Sequence, residues 1–155
     1  MDKFELRKLI EKTNAKKPRA SAFKHTIYRM GRVEIKVTDE GLEQFNVAEW
    51  LRFHKIPFLH PANEARRNRL LGIMLKLLGL EPGAADLIIF RTPPRFPDKK
   101  GVAIEMKSLT GKATKDQMAW LDMVEREGYV TAICPGAWAA INLLEELGYG
   151  GWNDL

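Results

Sequence analysis

Cysteine is nearly absent: Cys134 is the one thiol in 155 residues. A lone cysteine excludes an intramolecular disulfide and fits a reducing compartment. Its place in the apolar run Val130–Cys134 reads as a buried structural thiol and not as a nucleophile. Histidine is sparse as well. His25, His54 and His60 are scattered and offer no zinc-ligand spacing. No stretch approaches the ~18 consecutive apolar residues of a membrane span, and the basic N-terminus lacks the apolar segment of a secretion signal. A cytoplasmic protein with no membrane contact is expected. There is no glycine-rich loop of the G-x-x-x-x-G-K-[ST] kind, which argues against an enzyme of free nucleotides. Internal repeats and low-complexity segments are missing too. What is present is ordinary in bulk: 45% hydrophobic and 29% charged residues, in a length that makes one domain with a sizeable core.

The charge is unevenly placed. Residues 1–37 carry eleven Lys/Arg against four Asp/Glu, or +7, and the rest carry fourteen against sixteen, or −2. A basic arm beside an acidic core suits a polyanionic substrate, the arm providing phosphate affinity and the core the chemistry. The plainer alternative is a solvated surface helix followed by a polar linker. The division expected is an arm over 1–37, a helix plus a small hairpin, and a main domain over 38–155.

Periodicity places the elements. Residues 2–12, with Phe4, Leu6, Leu9 and Ile10, form a weak amphipathic helix, and Asn14–Ser21 a basic linker. Ile27–Val37 alternates Val33, Ile35 and Val37 around Met30-Gly31, a hairpin pattern. Thr38 or Asp39 can cap a helix carrying Leu42, Phe45, Ala48 and Leu51 and ending before Pro57. Ile56–His60 is a short strand. Glu64–Leu78 is helical, with Leu70, Leu71, Met74 and Leu78 inward and Arg66, Arg69 and Lys76 on another side. Two strands follow, divided by the stiff loop Pro93-Pro94-Arg95-Phe96-Pro97. Then come a helix over Thr114–Glu127, a buried strand over Tyr129–Cys134 and a closing helix over Ala137–Leu147. Trp50, Trp120 and Trp138 sit at helical spacing among apolar residues and read as core. His60, before Pro61, reads as a hydrogen-bonded strand-end histidine sooner than a general base. The pattern is an α/β sandwich.

The two strands after Gly83 hold the chemistry. In Val102–Lys107 the two-residue period sends Val102, Ile104 and Met106 to one face and Ala103, Glu105 and Lys107 to the other. Asp86 opens the preceding strand, Asp86–Phe90, just after the Pro82-Gly83 turn. If the two pair as a hairpin, Asp86, Glu105 and Lys107 converge. Two carboxylates on a buried sheet face are costly unless a cation sits between them, and a hard divalent ion with oxygen ligands is the usual solution. A lysine beside it can meet a phosphate. That set suffices for metal-assisted phosphodiester hydrolysis. The alternative is a plain Glu105–Lys107 ion pair on a solvated strand.

The ordered set Gly83-Ala-Ala-Asp-Leu-Ile-Ile, Ile104-Glu-Met-Lys-Ser, Gln117-Met-Ala-Trp-Leu and Gly128-Tyr resembles the virus-type replication-repair nuclease (VRR-NUC) domain of the PD-(D/E)XK nuclease superfamily. Glu40-Gly-Leu-Glu-Gln44 with Glu49-Trp50-Leu51 is similar to that family's first helix, whose glutamate comes four residues before a glutamine. Phe58-Leu-His-Pro-Ala-Asn63-Glu64 is similar to its next strand and Pro-Asn turn, with Ala62 inside the turn and Glu64 where the family has glycine. The resemblance spans roughly residues 38–148.

It implies a restriction-endonuclease-like core, a mixed central sheet flanked by helices. It also implies metal-dependent cleavage of DNA with Mg²⁺ or Mn²⁺. Asp86, Glu105 and the Met106 carbonyl would hold the ion, and Glu40 would complete the shell or support a second ion. Lys107 would orient water or neutralise charge on the phosphorane, and Gln117 would position Lys107 or the water. Gln117 also satisfies the Thr114-Lys-Asp-Gln117 capping box, which by itself explains its presence. Glu40 alone reads as a first-turn acid complementing the helix dipole. Arg66, Arg69, Arg95, Lys99, Lys100 and Lys112 are candidate DNA contacts, with Arg91 beside them. The resemblance further implies endonucleolytic action on branched or flapped replication and repair intermediates, and a possible homodimer. The rival function is a non-catalytic DNA-binding module on a nuclease-like scaffold. Retention of Asp86, Glu105 and Lys107 together argues against it.

Overall fold

The structure, a computed structural model, describes residue 8 and residues 26–30, 33–37, 39–61 and 69–150, with side chains at residue 8, 40–61 and 73–150. The rest of the 2–12 stretch, the 14–21 linker, Asn63, Glu64 and Arg66 lie outside the described residues, as do the side chains of Arg69, Leu70 and Leu71.

An antiparallel hairpin joins β1 (Thr26–Met30) to β2 (Val33–Val37). Helix α1 (Asp39–Phe53) leads into β3 (Phe58–Leu59), α2 (Arg69–Leu77), β4 (Leu87–Ile89) and β5 (Val102–Lys107). Helix α3 (Lys115–Arg126), β6 (Val130–Pro135) and α4 (Ala137–Glu146) complete the order. Four strands make one mixed sheet in the order β3-β4-β5-β6, antiparallel except for the parallel pair β5/β6. Among the described residues no helix is long and apolar enough to cross a membrane.

Strand β5 is buried along its whole length, as a strand covered on both faces must be. Val102, Ile104 and Met106 enter the main core with Val47 and Leu51 of α1 and Leu143 and Leu144 of α4. Ala103 meets Ala85 and Leu121 of α3 on the other face, with Trp120 and Val124 against them. So α1 and α4 cover one face and α3 the other. A solvated strand, on which Glu105 and Lys107 would be an incidental pair, is excluded.

Local chemistry sets the boundaries. Thr114 caps α3: its Oγ1 accepts from the Gln117 backbone N–H at 3.2 Å, and its own N–H donates to Gln117 Oε1 at 2.8 Å. Gly83, at φ +78°, turns the chain under that helix start. A Cβ there would stand 2.5 Å from the Asp116 backbone, so both the turn and the approach require glycine.

Several inward assignments need correction. On α1 the buried stripe is Gln44, Val47, Ala48 and Leu51, while Phe45 is 39% exposed. The stripe steps along one helix face at three- and four-residue intervals from Glu40, and a polar residue, Gln44, occupies a place that hydropathy alone would give to Phe45. On α2, Met74 and Leu78 are exposed, as are Ile73 and Leu77. Helical periodicity shows that one face is apolar but not what stands against it. Trp50 and Trp120 do pack on the two cores, whereas Trp138 is 52% exposed.

Candidate functional site

The β4/β5 register pairs Leu87 with Ile104, so one step further Asp86 stands opposite Glu105. Directly opposed residues of an antiparallel pair share a face, with Cβ atoms about 5 Å apart. Asp86 Oδ2 accepts from the Met106 backbone N–H at 2.7 Å, just beyond the last paired rung. Lys107, on the same face as Glu105, donates from Nζ to Glu105 Oε1 at 2.7 Å, and its Nζ lies 3.5 Å from Glu40 Oε1 on α1. Gln117 Nε2 also donates to Glu105 Oε1. Gln117 is therefore both capping residue and site residue: its amide oxygen closes the capping box while its amide nitrogen holds Glu105.

Glu105 is fully buried, and Asp86 and Lys107 are each 8% exposed. Burial, against the opposing pull of the Lys107 hydrogen bond and with the neighbouring Asp86 charge, pushes the Glu105 carboxyl up to about 7. Burial pulls Lys107 the other way, but its hydrogen bond to Glu105 and the charges of Glu105, Glu40 and Asp86 outweigh that, and its ammonium stays above the usual lysine range. A protonated lysine thus sits between two acids in a pocket that would otherwise repel their charges.

Glu105 Oε2 is buried with no hydrogen-bond partner. A desolvated carboxylate oxygen left so costs on the order of 1–3 kcal/mol. A hard divalent cation shared with Asp86 would remove that cost, and oxygen donors suit Mg²⁺ or Mn²⁺. Asp86, Glu105 and the Met106 carbonyl are the residues that could hold one. Among the described residues, no three His, Cys, Asp or Glu side chains gather as a metal-holding group. Glu40 Oε1 lies 3.5 Å from Lys107 Nζ, and its charge also bears on Glu105. Burial pushes the Cys134 thiol up to about 12, which removes it as a nucleophile.

The basic candidates separate. Gly111 folds back on Lys107, a Cβ there standing 3.4 Å from Lys107 Cβ, so the exposed Lys112 lies at the site's end of the sheet. Arg95, Lys99 and Lys100 belong to the connection leaving Ile89 and entering Val102, at the other end of the β4/β5 hairpin. Five residues of strand put them roughly 16 Å away. Arg95 Nη1 there donates to the Glu146 carbonyl at 3.2 Å, and Arg91 Nη2 to the Lys55 carbonyl at 3.0 Å. Lys99 and Lys100 stand near Asp98 and Glu127.

The fold draws three further polar residues to the same end, of which His60 is the hydrogen-bonded strand-end histidine expected from the sequence. Glu43 Oε2 accepts from the Ala137 N–H at 2.6 Å and caps α4, whose own N-cap, Gly136, has no side chain to offer. Gln44 and His60 bond to one another beside Asp86. The available signal was spacing: Glu40, Glu43 and Gln44 lie within one turn of α1.

A family model described as the VRR-NUC domain matches residues 38–138. A solved structure described as a VRR_NUC domain protein superposes with a TM-score of 0.60 at 22% identity, covering 74% of this chain and 91% of that one. That likeness bears on the fold. No curated protein matches significantly.

Proposed function

Since the chain belongs to the VRR-NUC domain family, a family of nuclease-type DNA-processing domains, we propose that it is a divalent-metal-dependent deoxyribonuclease acting through Asp86, Glu105 and Lys107. The observation carrying this reading is the buried Glu105 carboxylate, with Oε2 unpartnered, Asp86 in the adjoining rung and a lysine on its other oxygen. Asp86, Glu105 and the Met106 carbonyl would hold Mg²⁺ or Mn²⁺, which would supply positive charge at the scissile phosphate and a more acidic water.

The chain's own groups do the rest. Lys107, kept protonated by Glu105 and Glu40, offsets the charge that grows on the phosphorane oxygens or orients the attacking water. Gln117 holds Glu105 in the rotamer that leaves Oε2 available. Glu40 acts through Lys107, which its placement supports better than a ligand's role. Lys112 is the basic residue best placed for a phosphate near the cut, and the arm over 1–37 adds phosphate affinity. The family likeness favours internal cleavage of branched or flapped DNA, with two chains presenting paired sites.

Purified protein is incubated with labelled linear, flap and four-way-junction DNA, with Mg²⁺ or Mn²⁺ and with chelator. Cleavage is expected only with metal, faster on branched forms. Asp86→Asn, Glu105→Gln and Lys107→Ala are expected to lose roughly 100-fold or more in turnover while still folded and DNA-binding. Undiminished cutting in excess chelator, with contaminating nuclease excluded, overturns the metal requirement. Equal rates on blunt duplex and junctions overturn the substrate preference.

A further inference from the structure

His60 is a strand-end residue with an unusual bond. The β3/β4 register pairs Phe58 with Ile89 and Leu59 with Ile88, so continuing it would set Pro61 against Asp86. Proline has no N–H, so the ladder cannot supply a donor to the Asp86 carbonyl at that rung. The His60 ring stands in: Nδ1 lies 2.7 Å from the Asp86 carbonyl oxygen. A carbonyl only accepts, so in this bond Nδ1 is the donor. The buried Gln44 amide lies against the same ring edge, its nitrogen 2.6 Å from Nδ1 and 3.2 Å from Nε2.

Asp86 is consequently held at its carboxylate by the Met106 N–H and at its peptide by His60. Gln44 is four residues after Glu40 on α1, and one helix face therefore serves both halves of the site. Glu40 reaches Lys107, and Gln44 reaches Asp86 through the histidine.

We propose that His60, braced by Gln44, is a positioning residue that sets the Asp86 peptide and thereby aims its carboxylate at the metal. This rests on the nuclease reading above. Groups bonded to metal ligands typically contribute 10- to 100-fold in affinity or activity.

The test uses Mn²⁺ calorimetry on the full chain, DNA-cleavage kinetics and thermal melts. His60→Ala is expected to weaken Mn²⁺ binding at least 10-fold and lower kcat similarly, with KM for DNA changed less than about 3-fold. His60→Asn, whose amide N–H can reach the place of Nδ1, is expected to restore most of both. Gln44→Ala is expected to act in the same direction but more weakly, and the double variant to be no worse than His60→Ala, because both act through one bond. The inference is overturned if His60→Ala binds Mn²⁺ and cuts like wild type. It is also overturned if His60→Asn melts like wild type yet rescues nothing. A wild-type chain that neither binds Mn²⁺ nor cuts DNA would instead remove the nuclease reading.

Discussion

At the scale of the residue, Glu105 carries the most consequence. Its carboxyl titrates at about 7 in the fold and at the ordinary 4.5 when unfolded, so between those values the folded chain holds a proton that the unfolded chain has lost. The contribution of Glu105 to the stability of the metal-free protein is therefore greatest below about pH 4.5, falls as pH rises toward 7 and levels off above. Urea unfolding in chelator at pH 5, 6, 7 and 8 is expected to show that fall, and Glu105→Gln to abolish it. The variant gains on the order of 2 kcal/mol at pH 8. A wild-type stability that climbs with pH across this range would refute the burial argument. The same proton must leave when a cation binds, so Mn²⁺ affinity is expected to weaken below about pH 7. Gln117 allows its two roles to be separated. Gln117→Glu retains an acceptor for the capping box but loses the donor to Glu105 and adds a like charge. Helix stability is expected to stay within about 0.5 kcal/mol, while cleavage drops by 10-fold or more. A variant that cuts normally would leave the glutamine as a cap alone.

At the scale of the element, the first helix holds the site's end of the sheet together. Its N-terminal turn gives Glu40 to Lys107, Glu43 to the start of α4 and Gln44 to His60. The Gly136 N–H donates to the Lys107 carbonyl at 2.9 Å, so the α4 start and the site strand are joined at the residue Glu43 caps beside. Glu43→Ala is expected to cost about 1–2 kcal/mol, the loss of a helix cap made by a charged group, with the site's metal affinity little altered. Denaturant midpoints of this variant and of Glu43→Gln measure it. A loss below about 0.3 kcal/mol would show that water replaces the cap at no cost. The boundaries of α3 were legible because a capping box is written in four consecutive residues. The boundary of β3 was legible only in part, because its length depends on its pairing with Ile88 and Ile89, about 30 residues on in sequence.

At the scale of the whole molecule, charge is distributed between two places that the sheet keeps apart. The site's end presents Lys107 and Lys112, and the far end presents Arg95, Lys99 and Lys100. The arm, with its +7, remains the largest block of positive charge. Deleting residues 1–24 removes Lys3, Arg7, Lys8, Lys12, Lys16, Lys17, Arg19 and Lys24 and touches none of the proposed ligands. Each neutralised phosphate contributes about 0.9 to the slope of log affinity against log salt, so four contacts would flatten that slope by roughly 3–4. Turnover on saturating DNA is expected to hold if the arm contacts phosphates, since it would then act on binding and not on the transition state. An unchanged slope with a lowered melting temperature would show that Phe4, Leu6, Leu9 and Ile10 pack instead.

Element order, the α3 cap and the convergence of Asp86, Glu105 and Lys107 were all determined by the sequence itself. Each rests on a local rule: a period of two, a cap four residues long, a hairpin joining neighbouring strands. Tertiary structure alone decided the rest. It turned Gln44 inward and Phe45 outward, left Met74, Leu78 and Trp138 exposed, paired Glu40 with Lys107, and carried the Arg95–Lys100 loop to the far end of the sheet. The physical reason is the same throughout. Burial and hydrogen bonding depend on what stands opposite, and a residue's partner across the fold is not written in its neighbours along the chain.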